Sequence, residues 1–376
     1  MPQQSPLDIS ELLDRCINLF ARSAVDIYLD APDLVACCLV ARSWVHPAQS
    51  WLFRAPTHTN PNLAFLSSVM EKFCAALLAS PHLLQHVHLL RLDHSALRPH
   101  CLELLCRQSF TRLENLRIRV ENDSQTAPTP DTFPRPSTLP ALRHLSLDVI
   151  GPFSLLDSIV HQFPPTIEHL DLDCTAWDSQ IPSDIASTTP LIQLKSARLN
   201  MWDDGDFTWF PPRPRSSYPF DFSQLKALAI LYASSIDWSV IPTNSIEILD
   251  LHVRYENTAV DLTAFPMLRI LRFGMDRSHI PRIVPETVST ITAQHRINTI
   301  IISIWSSPIN QVEYGEVDSI ISSIQTPTLP AVELEHGFDY PPDFARYFPK
   351  LIAKNSFRVV SYNFVRNRWQ ALVNQL

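Results

Sequence analysis

The feature that most limits what this chain can fold into is a recurrent apolar spacing. The pattern apolar-x-x-apolar-x-apolar first appears as Val87/Leu90/Leu92 and returns as Leu113/Leu116/Ile118, Leu142/Leu145/Leu147 and Ile167/Leu170/Leu172. It continues as Leu194/Ala197/Leu199, Leu225/Leu228/Ile230, Ile246/Leu249/Leu251 and Leu268/Leu271/Phe273. Weaker copies are Ile297/Ile300/Ile302, Leu329/Val332/Leu334 and Phe357/Val360/Tyr362. Successive copies start 21 to 32 residues apart, 27 on average. In a chain that is 45% apolar a single match is cheap, but eight close copies at near-constant spacing are not. The last two apolar positions are two residues apart, so they point to one face of a short strand, and the first packs at the strand entrance. One such unit cannot bury its face alone, so several must stack.

A period of this length is that of leucine-rich repeats. The expected fold class is therefore α/β: a helical module at the N-terminus, then a curved solenoid with a parallel sheet on its concave face. The repeats are divergent, because the Asn or Cys expected after each strand is mostly replaced, as by Glu121, Ile150 and Thr175. Stretches between motifs, such as Leu155 to Val160 and Val317 to Ile324, read as short helices or turns on the convex side. The expected divisions are a helical module at 1–57, a linker and solenoid cap at 58–82, and about 10–11 repeats over 83–376.

The first segment has a different texture. Ile9, Leu12, Leu13, Cys16, Ile17 and Phe20 follow helical spacing, and Ser10 is placed to cap that helix. Pro32 and Asp33 open a second helix with Leu34, Val35, Cys38 and Leu39 on one face, and Trp51-Leu52-Phe53 closes a third. A unit of about 45 residues is too small to be very stable alone.

Its residues carry a resemblance. Glu11-Leu12-Leu13-Asp14, then Asp33-Leu34 through Cys38-Leu39-Val40-Ala41-Arg42-Ser43-Trp44, then Leu52-Phe53-Arg54, resemble the F-box-like domain in the version common in mushroom-forming fungi. The family's leading Leu-Pro is absent, with Pro6-Leu7 reversed nearby, and the connector from Ala21 to Ala31 is longer than usual. The resemblance implies a substrate adaptor of a Skp–cullin–F-box type ubiquitin ligase. It implies that Leu12, Leu13, Leu34, Leu39, Val40, Trp44, Leu52 and Phe53 contact the ligase adaptor subunit, some of them serving the module's own core instead. The alternative is a leucine-rich scaffold without a ubiquitin role, its helices an ordinary cap, since solenoid ends must be covered.

Residues between the inward apolar positions face outward on the sheet. A protein substrate is expected there, at Arg198, Ala229, Leu231, Asp250 and Arg272. An apolar centre ringed by Arg, Trp and Tyr is the composition of a protein-binding hot spot. Trp177, Trp202, Trp209, Tyr232, Trp238, Tyr255 and Trp305 follow several strands, either as that rim or as packing at the repeat edges. Replacing Arg198, Asp250 and Arg272 together is expected to abolish capture without unfolding the chain.

Composition narrows the chemistry. Only five glycines are present, no two within 20 residues of each other, which leaves no Gly-rich phosphate loop and no nucleophile elbow. A net charge of −8 without a Lys/Arg block gives no footprint for nucleic acid or anionic membrane. Neither a membrane span nor a secretory leader is expected, so the chain reads as intracellular, cytoplasmic or nuclear. Seven cysteines without a CxxC pair read as reduced, mostly buried thiols. His82 and His86 have i, i+4 spacing, which holds zinc when it lies on a helix, but Pro81 and the adjoining strand argue against a site. Asp203-Asp204-Gly205-Asp206 reads as a solvated loop. No catalytic residue, cofactor or metal is assigned.

Overall fold

Parallel strands that recur once per motif form the frame of the structure, a computed structural model. It describes residues 42–54, 63–93, 99–121, 138–150, 163–175, 192–201, 220–231, 238, 241–253, 259–275, 282–304, 311–324, 329–336, 344–361 and 368–376. The chain divides into two units, Met1–Ile167 and Glu168–Leu376.

In the first unit, helices α1 (Arg42–Leu52) and α2 (Leu63–Ala79) and a 3-10 turn (Pro81–His86) lead to β1 (Leu89–Asp93). Helix α3 (Pro99–Cys106), β2 (Asn115–Glu121) and β3 (His144–Ile150) follow. The three strands run parallel in one register, Leu90 opposite Leu116 and Leu116 opposite Leu145, with Leu92, Ile118 and Leu147 aligned two residues on. All six of these side chains are buried, as are Val87, Leu113 and Leu142 at the strand entrances. The three apolar positions of the motif are thus the core. Burial along β3 alternates, so its second face is only half covered.

A backbone device repeats at most of the strand entrances. The carbonyl of His88 accepts the N–H groups of both Glu114 and Asn115, and that of Glu114 accepts those of Arg143 and His144, all at 2.9–3.0 Å. One carbonyl therefore satisfies the two amides that open the next strand, where an unpaired N–H would be costly. The series begins before β1: the Arg54 carbonyl, just past α1, accepts from His88 and Leu89 at 3.0 and 2.9 Å.

The second unit carries β4 (His169–Thr175), β5 (Ile192–Gln193), β6 (Ser196–Met201), β7 (Phe220–Asp221), β8 (Ala227–Leu231) and β9 (Ile248–Val253). Next come β10 (Ile270–Met275), helix α4 (Ile283–Ser289), β11 (Thr299–Ile304), helix α5 (Gln311–Ser323) and β12 (Ala331–His336). Helix α6 (Pro349–Ala353), β13 (Phe357–Ser361) and helix α7 (Arg368–Val373) complete it. Eight strands pair in parallel in the order β4-β6-β8-β9-β10-β11-β12-β13, while β5 and β7 form a separate two-residue ladder. The carbonyls of Glu168, Lys195, Lys226, Glu247 and Arg269 repeat the two-amide bond. Their side chains form a ladder of exposed or half-exposed ion pairs, including Lys195–Glu168 at 2.9 Å and Arg269–Glu247 at 3.3 Å. Each such pair contributes roughly 0–1 kcal/mol. Both units have the leucine-rich-repeat architecture.

Helices pack beside the later strands because the sequence between motifs switches to helical spacing. Tyr314, Val317 and Ile321 of α5 are buried, which bears on the stretch from Val317 to Ile324. Asp318, on the same helix, accepts the N–H groups of Lys350 and Leu351 at 3.1 and 2.9 Å, and so caps α6 from a neighbouring repeat. Helix α6 ends at Asn355, whose φ of 54° is left-handed. Ser356 N–H donates to Leu351 O and Asn355 N–H to Ile352 O, a Schellman turn with Asn in the place glycine usually takes. That tight turn corrects the last copy of the motif. Phe357 pairs with Val332, so Phe357 and Val359 hold the second and third motif positions, and the spacing Phe357/Val360/Tyr362 is three residues out of register. The stretch from Leu155 to Val160 and the helices expected over 9–20 and 32–41 lie outside the described residues.

Three cysteines sit between the first unit's helices. Cys74, Cys101 and Cys106 are buried and reduced. Burial, then the neighbouring Cys101, pushes the Cys74 thiol up to about 12, and burial alone pushes Cys106 to about 12. Since the thiolate is the nucleophile, Cys74 and Cys106 should resist iodoacetamide at pH 8 in the folded chain and react fully in denaturant. Rapid labelling of either in the native state, read by peptide mass spectrometry, would contradict this packing.

Candidate protein-binding face

Alternation sends every second strand residue outward, and the shared register aligns these residues into rows across the second unit's sheet. The first row includes Ser196, Ala227, Ile248, Ile270, Thr299 and Ala331. The second is Arg198, Ala229, Asp250, Arg272, Ile301, Glu333 and Arg358. The third runs through Asn200, Leu231, His252, Gly274, Ser303 and Glu335.

Much of this outward surface is covered. All five residues of β8 are buried, and β10, β11 and β12 are buried at every position but their first. Among the described segments, helix α7 covers part of it, at the first row and at Ile301. Its Leu372 and Val373 are buried against Ala227, Ile248 and Ile301, with Ile270 and Trp369 packed at the margin. Trp369, Leu372 and Val373 fall at i, i+3 and i+4, one face of a helix. Burying the Leu and Val side chains stabilises the contact by ~1.5–3 kcal/mol each.

Next to this apolar seat lies a buried ionic cluster. Arg272 donates to Asp250 at 2.7 Å, to Glu335 at 3.1 and 3.2 Å and to Ser303 at 3.0 Å, and Ser303 donates to Glu335 at 3.0 Å. Burial works against the Arg272 charge, but Asp250 and Glu335 outweigh it and its pKa is raised. The guanidinium thus stays charged and ties β9, β10 and β12 together across the strand order. His252 Nε2 lies 3.9 Å from Asp250, buried in the same cluster. Its ring lies over Gly274: a Cβ there would come within 2.6 Å of Nε2, so a residue without a side chain is what lets the imidazole lie flat on the sheet. At the next strand Arg358 pairs with Glu333.

The residues expected to hold a substrate therefore divide. Arg198 is part-exposed and pairs with Asp171 at 3.5 Å. Ala229, Leu231, Asp250 and Arg272 are at most 4% exposed. They share one surface, as alternation implies, but a partner reaches it only where the cover is absent. Of the three residues whose joint replacement is expected to spare folding, Asp250 and Arg272 are members of a buried charge cluster.

Of the positions implied for adaptor contact, Leu12, Leu13, Leu34, Leu39 and Val40 lie outside the described residues. Trp44 falls within α1. Leu52 and Phe53 are half-buried, and Phe53 stacks on Phe73 with ring centroids 6.1 Å apart. On α1, Ala48 is fully buried, whereas Val45 and Trp51 are half-covered. Trp238 packs edge-on against Phe265 at 5.2 Å, and the other six rim aromatics lie outside the described residues. His82 and His86 occupy the 3-10 turn, where residues four apart do not share a face. His86 is buried edge-on to His46, and burial, then His46, lowers its pKa. Among the described residues no group of three His, Cys, Asp or Glu is placed to hold a metal.

Sequence reading missed the tail. Its signals were present: the Trp369/Leu372/Val373 spacing, and the unbroken apolar runs Ala227 to Leu231 and Ile300 to Ile302, which mark strands buried on both faces.

No family model matches the chain, and no curated protein matches it. Among solved structures, an internalin from Listeria monocytogenes is similar at 13% identity and a TM-score of 0.26, over 82% of this chain and 97% of that one. So loose a likeness adds nothing to the register described above.

Removing the guanidinium strands two buried carboxylates. Arg272→Ala should cost about 3–5 kcal/mol, whereas the part-exposed Arg198→Ala should cost less than about 1 kcal/mol. Urea denaturation checks both. Equal, small losses would mean that the ionic cluster is solvated.

Proposed function

We propose that the chain is a substrate-recognition adaptor of a Skp–cullin–F-box type ubiquitin ligase. Its N-terminal helices dock the ligase adaptor subunit and its repeats present a protein substrate. In this reading the chain acts inside the cell, in cytoplasm or nucleus, and is not itself an enzyme. Other subunits transfer ubiquitin, and this chain supplies position and effective concentration.

The observation that carries the reading is the incomplete burial of α1. Val45, Trp51 and Leu52 stay half-covered although Ala48 on the same helix is fully buried. Leu78 at the end of α2 is 56% exposed. Apolar surface left over beside a segment that resembles an F-box is what an adaptor contact requires. The repeats supply the other half, a long row of outward side chains whose identity varies from strand to strand.

A second reading rests on the Arg54 carbonyl. It holds the first two amides of the β1 region as each repeat holds the next, so the helix also serves as a built-in cap. A leucine-rich interaction scaffold without a ubiquitin role would need no more than that.

Binding of the purified adaptor subunit separates the two. Wild type should bind, and Leu39→Ala/Trp44→Ala should stay folded and lose more than ~2 kcal/mol, upward of about thirtyfold in affinity. No binding by wild type at micromolar concentration would leave the scaffold reading alone.

A further inference from the structure

The second unit already holds a ligand-like segment on its outward face, and that segment belongs to the chain itself. Helix α7 has six residues, Arg368–Val373, which is shorter than a helix that stands alone in water. What orders it is the seat formed by Ala227, Ile248, Ile270 and Ile301. The opposite side of the tail is open, with Ala371, Asn374, Gln375 and Leu376 exposed.

Two features set this contact apart from ordinary core. The repeat interior is complete without it: Leu228, Ile230, Leu249, Leu271, Phe273, Ile300 and Ile302 point away from the tail and are buried by the strands' own neighbours. Lifting α7 uncovers Ala227, Ile248, Ile270 and Ile301 on the outward face and leaves that interior closed. Beside the seat, Asp250, Arg272, Ser303 and Glu335 form a polar shelf that bears a desolvation cost while covered. An apolar strip flanked by fixed charges and hydrogen-bonding groups is a surface suited to specific recognition.

We propose that this face is the partner-binding surface and that α7 is its internal competitor. The partner segment is a short amphipathic helix that presents an aromatic residue followed by aliphatic residues three and four positions on, as Trp369, Leu372 and Val373 do. The reading of the partner as a ligase substrate rests on the proposed function. The competition itself does not, and the adaptor-binding assay fails or succeeds independently of it.

The test uses the full chain, the full chain with Leu372→Asp/Val373→Asp, and a chain ending at Ser361. The probe is a fluorescent peptide of residues 366–376. Both altered chains should keep a cooperative unfolding transition. They should bind the peptide on the order of tenfold or more tighter than wild type, because a tethered competitor acts at roughly millimolar effective concentration. The same peptide carrying both Asp substitutions should not bind. A random displayed-peptide library selected on the Leu372→Asp/Val373→Asp chain should enrich the aromatic-x-x-aliphatic-aliphatic pattern, and wild type should not. Folded altered chains that neither bind the peptide nor enrich the pattern would overturn the proposal. So would loss of cooperative unfolding in both, which would make α7 an obligatory part of the core.

Discussion

Within each unit, most strands are joined to the one before by a carbonyl that accepts two successive amides. The His88, Glu114, Glu168, Lys195, Lys226, Glu247 and Arg269 carbonyls all do this. The bond fixes where a strand begins, and a fixed beginning sets the register. Register then decides which side chains meet: Leu90 with Leu116 inside, Arg91 with Arg117 outside. The apolar triad of each motif is buried only when a neighbour supplies the other half. Local bonding and the stacked core thus enforce the same alignment, the mutual agreement that marks a foldable sequence.

From that alignment comes the division of labour between faces. Inward positions are nearly uniform, Leu, Ile, Val or Phe, because they fill one continuous core. Outward positions are free to differ, and they do. In the first unit β3 alternates between buried and half-exposed residues. In the second unit the outward rows carry an apolar seat and an ionic cluster, and α7 lies over the seat. The cluster is an expensive thing to bury. Asp250, Arg272 and Glu335 are each at most 4% exposed, and what keeps them tolerable is mutual hydrogen bonding across three strands. Gly274 makes room for His252 in the same cluster, which gives one of the chain's few glycines a steric role.

The inward pattern was legible because it repeats. Period-two spacing at a near-constant interval placed a strand at every copy, and only Phe357 was misread, since a left-handed Asn355 shortens the turn before it. The outward face was legible in direction but not in state. Alternation tells that Asp250 and Arg272 point away from the core; it does not tell that a segment about a hundred residues later returns to cover their neighbours. Trp369, Leu372 and Val373 were given no role because their partners, Ile248 and Ile301, are distant in sequence. The ionic cluster was unreadable for the same reason: Arg272 and Glu335 are 63 residues apart, and no local rule pairs them.

The tail helix is seated on the outward face of the sheet at Ala227, Ile248 and Ile301. Methyl-selective NMR on the full chain, with Ile, Leu and Val methyl groups labelled, reads that contact directly. Cross-peaks from Leu372 and Val373 to Ile248 and Ile301 are predicted. Their absence, with Leu372 and Val373 methyl shifts at the values of a free peptide, would contradict the account and leave the face open.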